Sequence, residues 1–215
     1  MAVYRTPVDF TAKEALKTRC MWLLVIYFCL SMLAMGAIMP NQIVYLGDIG
    51  ISEAAASWAL GAMSGFMAFG QLGVGFVSKR FSMRAIVIFG EALKLIGLVI
   101  LILTKSQAFV FFYMIVLGLG FGFGMAAMMN IFPNYFGVKH YPKIMGTVRL
   151  FWTFIGSAGA PLAGHIRDIT GSYLPAFQGA VAITALGLVC LIFAKAPVHP
   201  SLKEPKTDKD LSTVS

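Results

Sequence analysis

AFVFFYMIVLGLGFGFGMAAMMNIF, residues 108–132, runs for 25 residues without one charged side chain. As a helix rising about 1.5 Å per residue it would more than cross the roughly 30 Å hydrocarbon core of a bilayer. Lipid offers no water to the backbone, so each amide must find its partner inside the segment, and a run of this kind predicts a membrane-crossing helix. The same pattern recurs on both sides. Apolar runs cover 21–46, 54–77, 84–103, 143–165 and 173–196, making six with the first, and short polar turns separate them. The fold class that follows is an all-α membrane protein of six transmembrane helices.

Composition points the same way. Hydrophobic residues make up 59% of the 215 and charged ones 12%, about half the charge of an ordinary soluble domain. The net charge of +8 would suit nucleic acid, but the basic residues sit at the ends of apolar runs and form no solvated stripe, so the expected partner is lipid and not nucleic acid. Cys20, Cys29 and Cys190 lack metal-ligand spacing, and His140, His165 and His199 are scattered. Without an HExxH or a GxSxG, no metal, cofactor or enzymatic site is expected. The polar opening of the chain and the length of the first apolar run predict an uncleaved anchor rather than a signal peptide.

Lysine and arginine stay on the cytoplasmic side of a membrane during insertion. With the N-terminus inside, that side receives Arg5, Lys13, Lys17, Arg19, Lys79, Arg80, Arg84, Lys139, Lys143, Lys195, Lys203, Lys206 and Lys209, and only Lys105 and Arg167 face outward. Both termini are therefore expected in the cytoplasm, with the protein in the plasma or inner cell membrane. Residues 1–19 form a cytoplasmic N-terminal segment, 20–196 the transmembrane domain, and 197–215 a disordered cytoplasmic tail rich in Pro, Lys, Asp and Ser.

Small residues at helical spacing, Gly61 and Gly65, Gly118 to Gly124, and Gly156 with Ala160, predict close helix contacts, because in lipid it is backbone approach rather than the hydrophobic effect that holds helices together. The GLGFGFG run looks like a nucleotide loop, but it lies within an apolar helix and follows no strand. Pro40 and Pro161 fall inside apolar runs, where the missing donor predicts a kink or break.

The loop GFVSKRFSMR, 75–84, resembles the cytoplasmic loop Gly-x-x-x-Asp-Arg-x-Gly-x-Arg of the major facilitator superfamily. Gly75, Arg80 and Arg84 match, while Lys79 stands in place of the acid and Ser82 of the second glycine. The stretch 134–177, NYFGVKHYPKIMGTVRLFWTFIGSAGAPLAGHIRDITGSYLPAF, is similar to the tenth-to-twelfth-helix region of oxalate/formate antiporters and monocarboxylate porters. TAKEALKTRCMWLL, 11–24, is similar to the lead into their seventh helix. The resemblance implies a C-terminal six-helix half-bundle of a carrier for small organic anions, mono- or dicarboxylates, working as an antiporter or proton-coupled carrier by alternating access. Such carriers bind substrate between two halves. A second half, covalent, separate or identical, is thus an expected partner.

Arg149 is the most informative single residue, since an arginine within an apolar helix costs at least ~2.5 kcal/mol unless it snorkels or finds a partner. Trp152, Thr153 and Gly156 follow at helical spacing, on its face. The resemblance implies that this helix lines the cavity, with Arg149 holding the substrate carboxylate; the alternative is that Arg149 reaches cytoplasmic headgroups. Glu91 and Lys94, three apart, can pair, and are read either as a coupling carboxylate with its cation or as a structural ion pair. Gln71, Asn41, Tyr45 and Asn130 offer further polar groups for a cavity or for interhelical bonds. Gly75, Lys79, Arg80 and Arg84 are the expected gating loop. The alternative function is a non-transporting six-helix subunit or a truncated remnant of a transporter.

Overall fold

The computed structural model describes residues 6–104 and 106–197, and its secondary structure among them is helical. Arg5, Lys105, His199, Lys203, Lys206 and Lys209, and the expected tail beyond Pro197, lie outside the described residues. In chain order the helices are α1 (Ala12–Leu16), α2 (Arg19–Ile38), α3 (Gln42–Asp48), α4 (Glu53–Val77), α5 (Met83–Leu103), α6 (Gln107–Phe136), α7 (Tyr141–Ser157), α8 (Gly159–Thr170) and α9 (Leu174–Phe193). Of these, α2, α4, α5, α6 and α9 are each long and apolar enough to cross a bilayer.

Two of the six expected runs are interrupted. The run 143–165 is not one helix: it divides at Ala158 into α7, 17 residues, and α8, 12 residues, each short of the roughly 20 a crossing requires. Pro161 lacks the N–H that would have met the Ser157 carbonyl, and the chain tightens there instead, with Ala158 N–H donating to Ile155 O at 3.2 Å. The run 21–46 divides in the same way around Pro40, into α2 and α3. Asn41 N–H turns to Ile38 O at 3.1 Å, and the Asn41 side-chain amide takes over the orphaned Ala37 carbonyl at 2.9 Å. Conversely, the run expected to stop at Phe132 continues through Pro133 to Phe136. It ends at Gly137, whose φ of +85° requires glycine.

The alternating glycines of GLGFGFG explain how α6 sits in the centre of its neighbours. Glycine at every second position makes two stripes of i, i+4 spacing on adjacent faces of one helix. A Cβ on Gly118 would meet Met63 O of α4 at 2.6 Å, and one on Gly122 would strike Met67 O. A Cβ on Gly120 would meet Lys94 N of α5 at 2.5 Å, and one on Gly90 would meet Gly124 N at the same distance. One stripe therefore seats α4 and the other α5 in backbone contact. A second crossing joins α2 to the break in α7/α8, where a Cβ on Gly159 would meet Leu33 O at 2.5 Å. Gly61 and Gly65, expected to pack, face open space within the described residues.

Contacts close each end of the bundle. At one end Arg84 Nη2 donates to Ile192 O, carrying charge to the C-terminal carbonyls of α9. The segment before α2 is packed against the same end. Phe10 is completely buried and meets Phe136 edge-on at 5.5 Å, its N–H bonds Phe136 O, and Asp9 Oδ1 accepts from Val138 N–H at 2.9 Å. At the other end Arg167 pairs with Asp48 at 3.1 Å and lies over the Tyr173 ring. The basic Lys79, Arg80 and Lys139 lie in the loops of the first end, and Lys143 in the first turn of α7.

Candidate functional site

A cavity of about 110 Å³ opens between α2, α4 and α6. Its walls are largely methionine and aromatic, with Met32, Met35, Met67, Met125, Met128, Phe28 and Phe121 contributing. Four polar side chains reach it: Tyr27, Ser31, Gln71 and Lys94. Lys94 is the charged one among these lining residues, and it comes from α5, which supplies no other part of the wall.

A buried network holds Lys94 in place. Its Nζ lies 2.7 Å from Glu91 Oε2 and donates to Ser31 Oγ at 2.5 Å. Tyr27 Oη–H donates to the same Glu91 Oε2 at 2.8 Å. Glu91 is fully buried and Lys94 is 3% exposed, so desolvation alone would make either charge costly; the pairing and the two hydroxyls offset that cost. The loading is uneven: among the described residues Glu91 Oε1 has no hydrogen-bond partner. Tyr27 and Ser31 were not singled out from sequence. Their i, i+4 spacing, with a hydroxyl on each, places them on one face of α2 and is the signal that could have found them.

The other expected site residues divide. Arg149 is exposed on α7, and its guanidinium lies 5.6 Å from the Trp152 ring centroid. Trp152 in turn stacks on Phe28 of the cavity wall, 4.2 Å apart and within 9° of parallel. No ion pair to Arg149 forms among the described residues. Thr153 is exposed beside Arg149, whereas Gly156 turns to α2, where a Cβ would meet Met32 Cβ at 3.1 Å. The stripe that these four residues form along α7 thus runs from the open side at Arg149 and Thr153 to the α2 contact at Trp152 and Gly156. Gln71 lines the cavity from α4. Asn41 serves the α2 break, Asn130 Nδ2 donates to Ala126 O within α6, and Tyr45 is buried with its hydroxyl 3.4 Å from Ile102 O.

In the loop 75–84, Lys79 and Arg80 are exposed and Gly75 faces open space. Ser82, in place of the loop's second glycine, caps α5 by accepting from Ala85 N–H at 3.2 Å. Arg84 is engaged with α9 as described.

Comparison with known proteins gives two findings. The family model described as Major Facilitator Superfamily matches residues 23–215. Among solved structures, a crystal structure of a mutant of the peptide transporter POT in complex with sulfate superposes with a TM-score of 0.64 at 20% sequence identity. The match covers 86% of this chain and 41% of that one, so this chain spans about two fifths of the transporter's length. At that identity the likeness speaks for the fold alone. No curated protein matches the chain.

Proposed function

Because the chain belongs to the Major Facilitator Superfamily, we propose that it forms one half of a secondary active carrier that moves a small organic anion across a membrane by alternating access. The observation that carries this reading is the charge balance around the cavity. Lys94 stands at its wall and Arg149 is stacked, through Trp152, on the other side of that wall, while among the described residues Glu91 is the one carboxylate paired with either. Lys94 and Glu91 balance each other, so the surplus is the cationic Arg149 on the open face, where it attracts an anion toward the cavity. A mono- or dicarboxylate is the substrate class, with Arg149 as a carboxylate anchor on the open face.

A second six-helix half, covalent, separate or identical, would close over that face, as in carriers that bind substrate between repeats. The breaks at residues 39–41 and at Ala158 suit such a role, since interrupted helices that line a cavity are where carriers flex. Exposed Lys79 and Arg80 are available to the second half as parts of a gate at the end of the bundle that we assign to the cytoplasm.

The test is uptake of labelled oxalate, formate and lactate into proteoliposomes holding the protein with its second half. Arg149→Gln is expected to lower uptake at least tenfold with membrane insertion unchanged. Full uptake by that variant would remove Arg149 from the site. No flux by the unaltered protein under any gradient would instead favour a non-transporting six-helix subunit.

A further inference from the structure

Lys94 belongs to a helix packed behind α6, and yet its ammonium group lines the cavity. The route is the second glycine stripe. Gly120 and Gly124 of α6 carry no side chain on the face that meets α5, and both line the cavity together with Lys94. They leave a window in α6 through which an outer helix delivers a charge inward.

An ammonium group has three donors. Glu91 Oε2 and Ser31 Oγ take two of them, and on its remaining side Lys94 lies 5.2 Å from the centroid of the Phe121 ring. A purely structural ion pair has no need of a cavity or a spare donor, and at position 124, where a Cβ would meet nothing closer than 3.9 Å, a side chain would shield Lys94 from the cavity and lower its cost. We propose that Lys94 is a buried carboxylate-binding residue, its third donor and the Gln71 amide receiving the carboxylate of a small anion. Glu91 then acts as the positioning counter-ion that holds Lys94 in the window when the cavity is empty. This rests on the reading of the chain as an anion carrier, and it adds a binding position separate from Arg149.

The cavity limits ligand size. At about 110 Å³ it is smaller than the roughly 150 Å³ cavity that admits benzene, which favours acids of two or three carbons, their short apolar ends against the methionine wall. The groups facing the pair are Tyr27 and Ser31 from α2 and Gln71 from α4. From α6 come Gly120, Phe121 and Gly124, and from α9 comes Gly187, where a Cβ would lie 3.8 Å from Glu91 Oε1.

Acetate binding to the detergent-solubilised protein, followed by calorimetry, tests the proposal. Glu91→Gln removes the internal competitor for Lys94, so acetate should bind at least roughly tenfold more tightly, given the size of a unit charge interaction at this range. The paired variant Glu91→Gln with Lys94→Gln should lose acetate binding. Unchanged affinity in both would overturn the proposal and leave the pair structural; if Arg149→Gln then abolished binding, the anion-carrier reading would stand without Lys94. Absence of carboxylate binding in the unaltered protein would overturn both. Gly124→Ala provides a check that does not disturb the pair, because its Cβ would come no closer than 3.9 Å to another group, the Tyr27 hydroxyl. Placed in the window, it should weaken binding of butyrate more than that of formate, and equal effects on the two acids would count against a ligand seated there.

Discussion

Two glycines one helical turn apart on α6 should respond in opposite ways to the same added methyl. At Gly120 a Cβ would stand 2.5 Å from Lys94 N, 2.9 Å from Gly90 O and 2.9 Å from Lys94 Cα. All three atoms are backbone, so no rotamer change can relieve the contact. Ordinary contact starts at 3.4 Å, and α5 and α6 must therefore part by nearly an ångström along the crossing. Overpacking of this kind costs about 1–3 kcal/mol, and the close backbone contacts on either side are lost as well. At Gly124 the nearest atom is 3.9 Å away, and the helix gains the roughly 0.5–1 kcal/mol by which Ala exceeds Gly in helix interiors. The same gain is available at Gly120 and cancels in the comparison, so Gly120→Ala should be destabilised relative to Gly124→Ala by the overpacking cost of about 1–3 kcal/mol. The assay is reversible unfolding of the two variants in mixed micelles, monitored by tryptophan fluorescence. Equal midpoints would refute the reasoning, because they would mean that α5 and α6 do not meet through the second stripe.

The packed N-terminal segment makes a second prediction. Phe10→Ala removes a fully buried ring from the core and its contact with Phe136, a change that typically costs about 3–5 kcal/mol; trypsin cleavage at the exposed Lys13 and Lys17 should speed up at least tenfold, and an unchanged rate would mean that the segment is not held by this ring. A third concerns the α2 break. Asn41→Leu leaves the Ala37 carbonyl without its 2.9 Å donor, and since interhelical and side-chain bonds in membranes are worth about 0.6–1.7 kcal/mol, the variant should unfold at correspondingly lower denaturant; no shift would show that another group satisfies the carbonyl.

Much of this architecture was legible in the sequence, because a bilayer imposes length and apolarity on whatever crosses it. Residues 108–132 alone declare a spanning helix, and the gathering of Lys13, Lys79, Arg80, Lys139 and Lys143 at one end of the bundle follows from counting spans between them. Pro40 and Pro161 announced the two breaks, since a residue without an N–H acts locally. Pro133 did not end α6, because its lost bond falls near a helix terminus that Gly137 closes. Arg149 and Glu91 with Lys94 stood out as charges within apolar runs.

Which partners those charges have depends on distances between helices far apart in sequence. Glu91 and Lys94 were visible as neighbours, but the hydroxyls that hold them, on Tyr27 and Ser31, lie 64 and 63 residues away. GLGFGFG was legible as a packing run. Only the tertiary structure divides its glycines between α4 and α5, and opens between two of them the passage that places Lys94 at the cavity wall. The sequence by itself determined what the chain is dissolved in and which segments are apolar enough to enter lipid, because those are properties of single segments. The tertiary structure decided which charge reaches the cavity, because that depends on which side chains are missing from the helix in between.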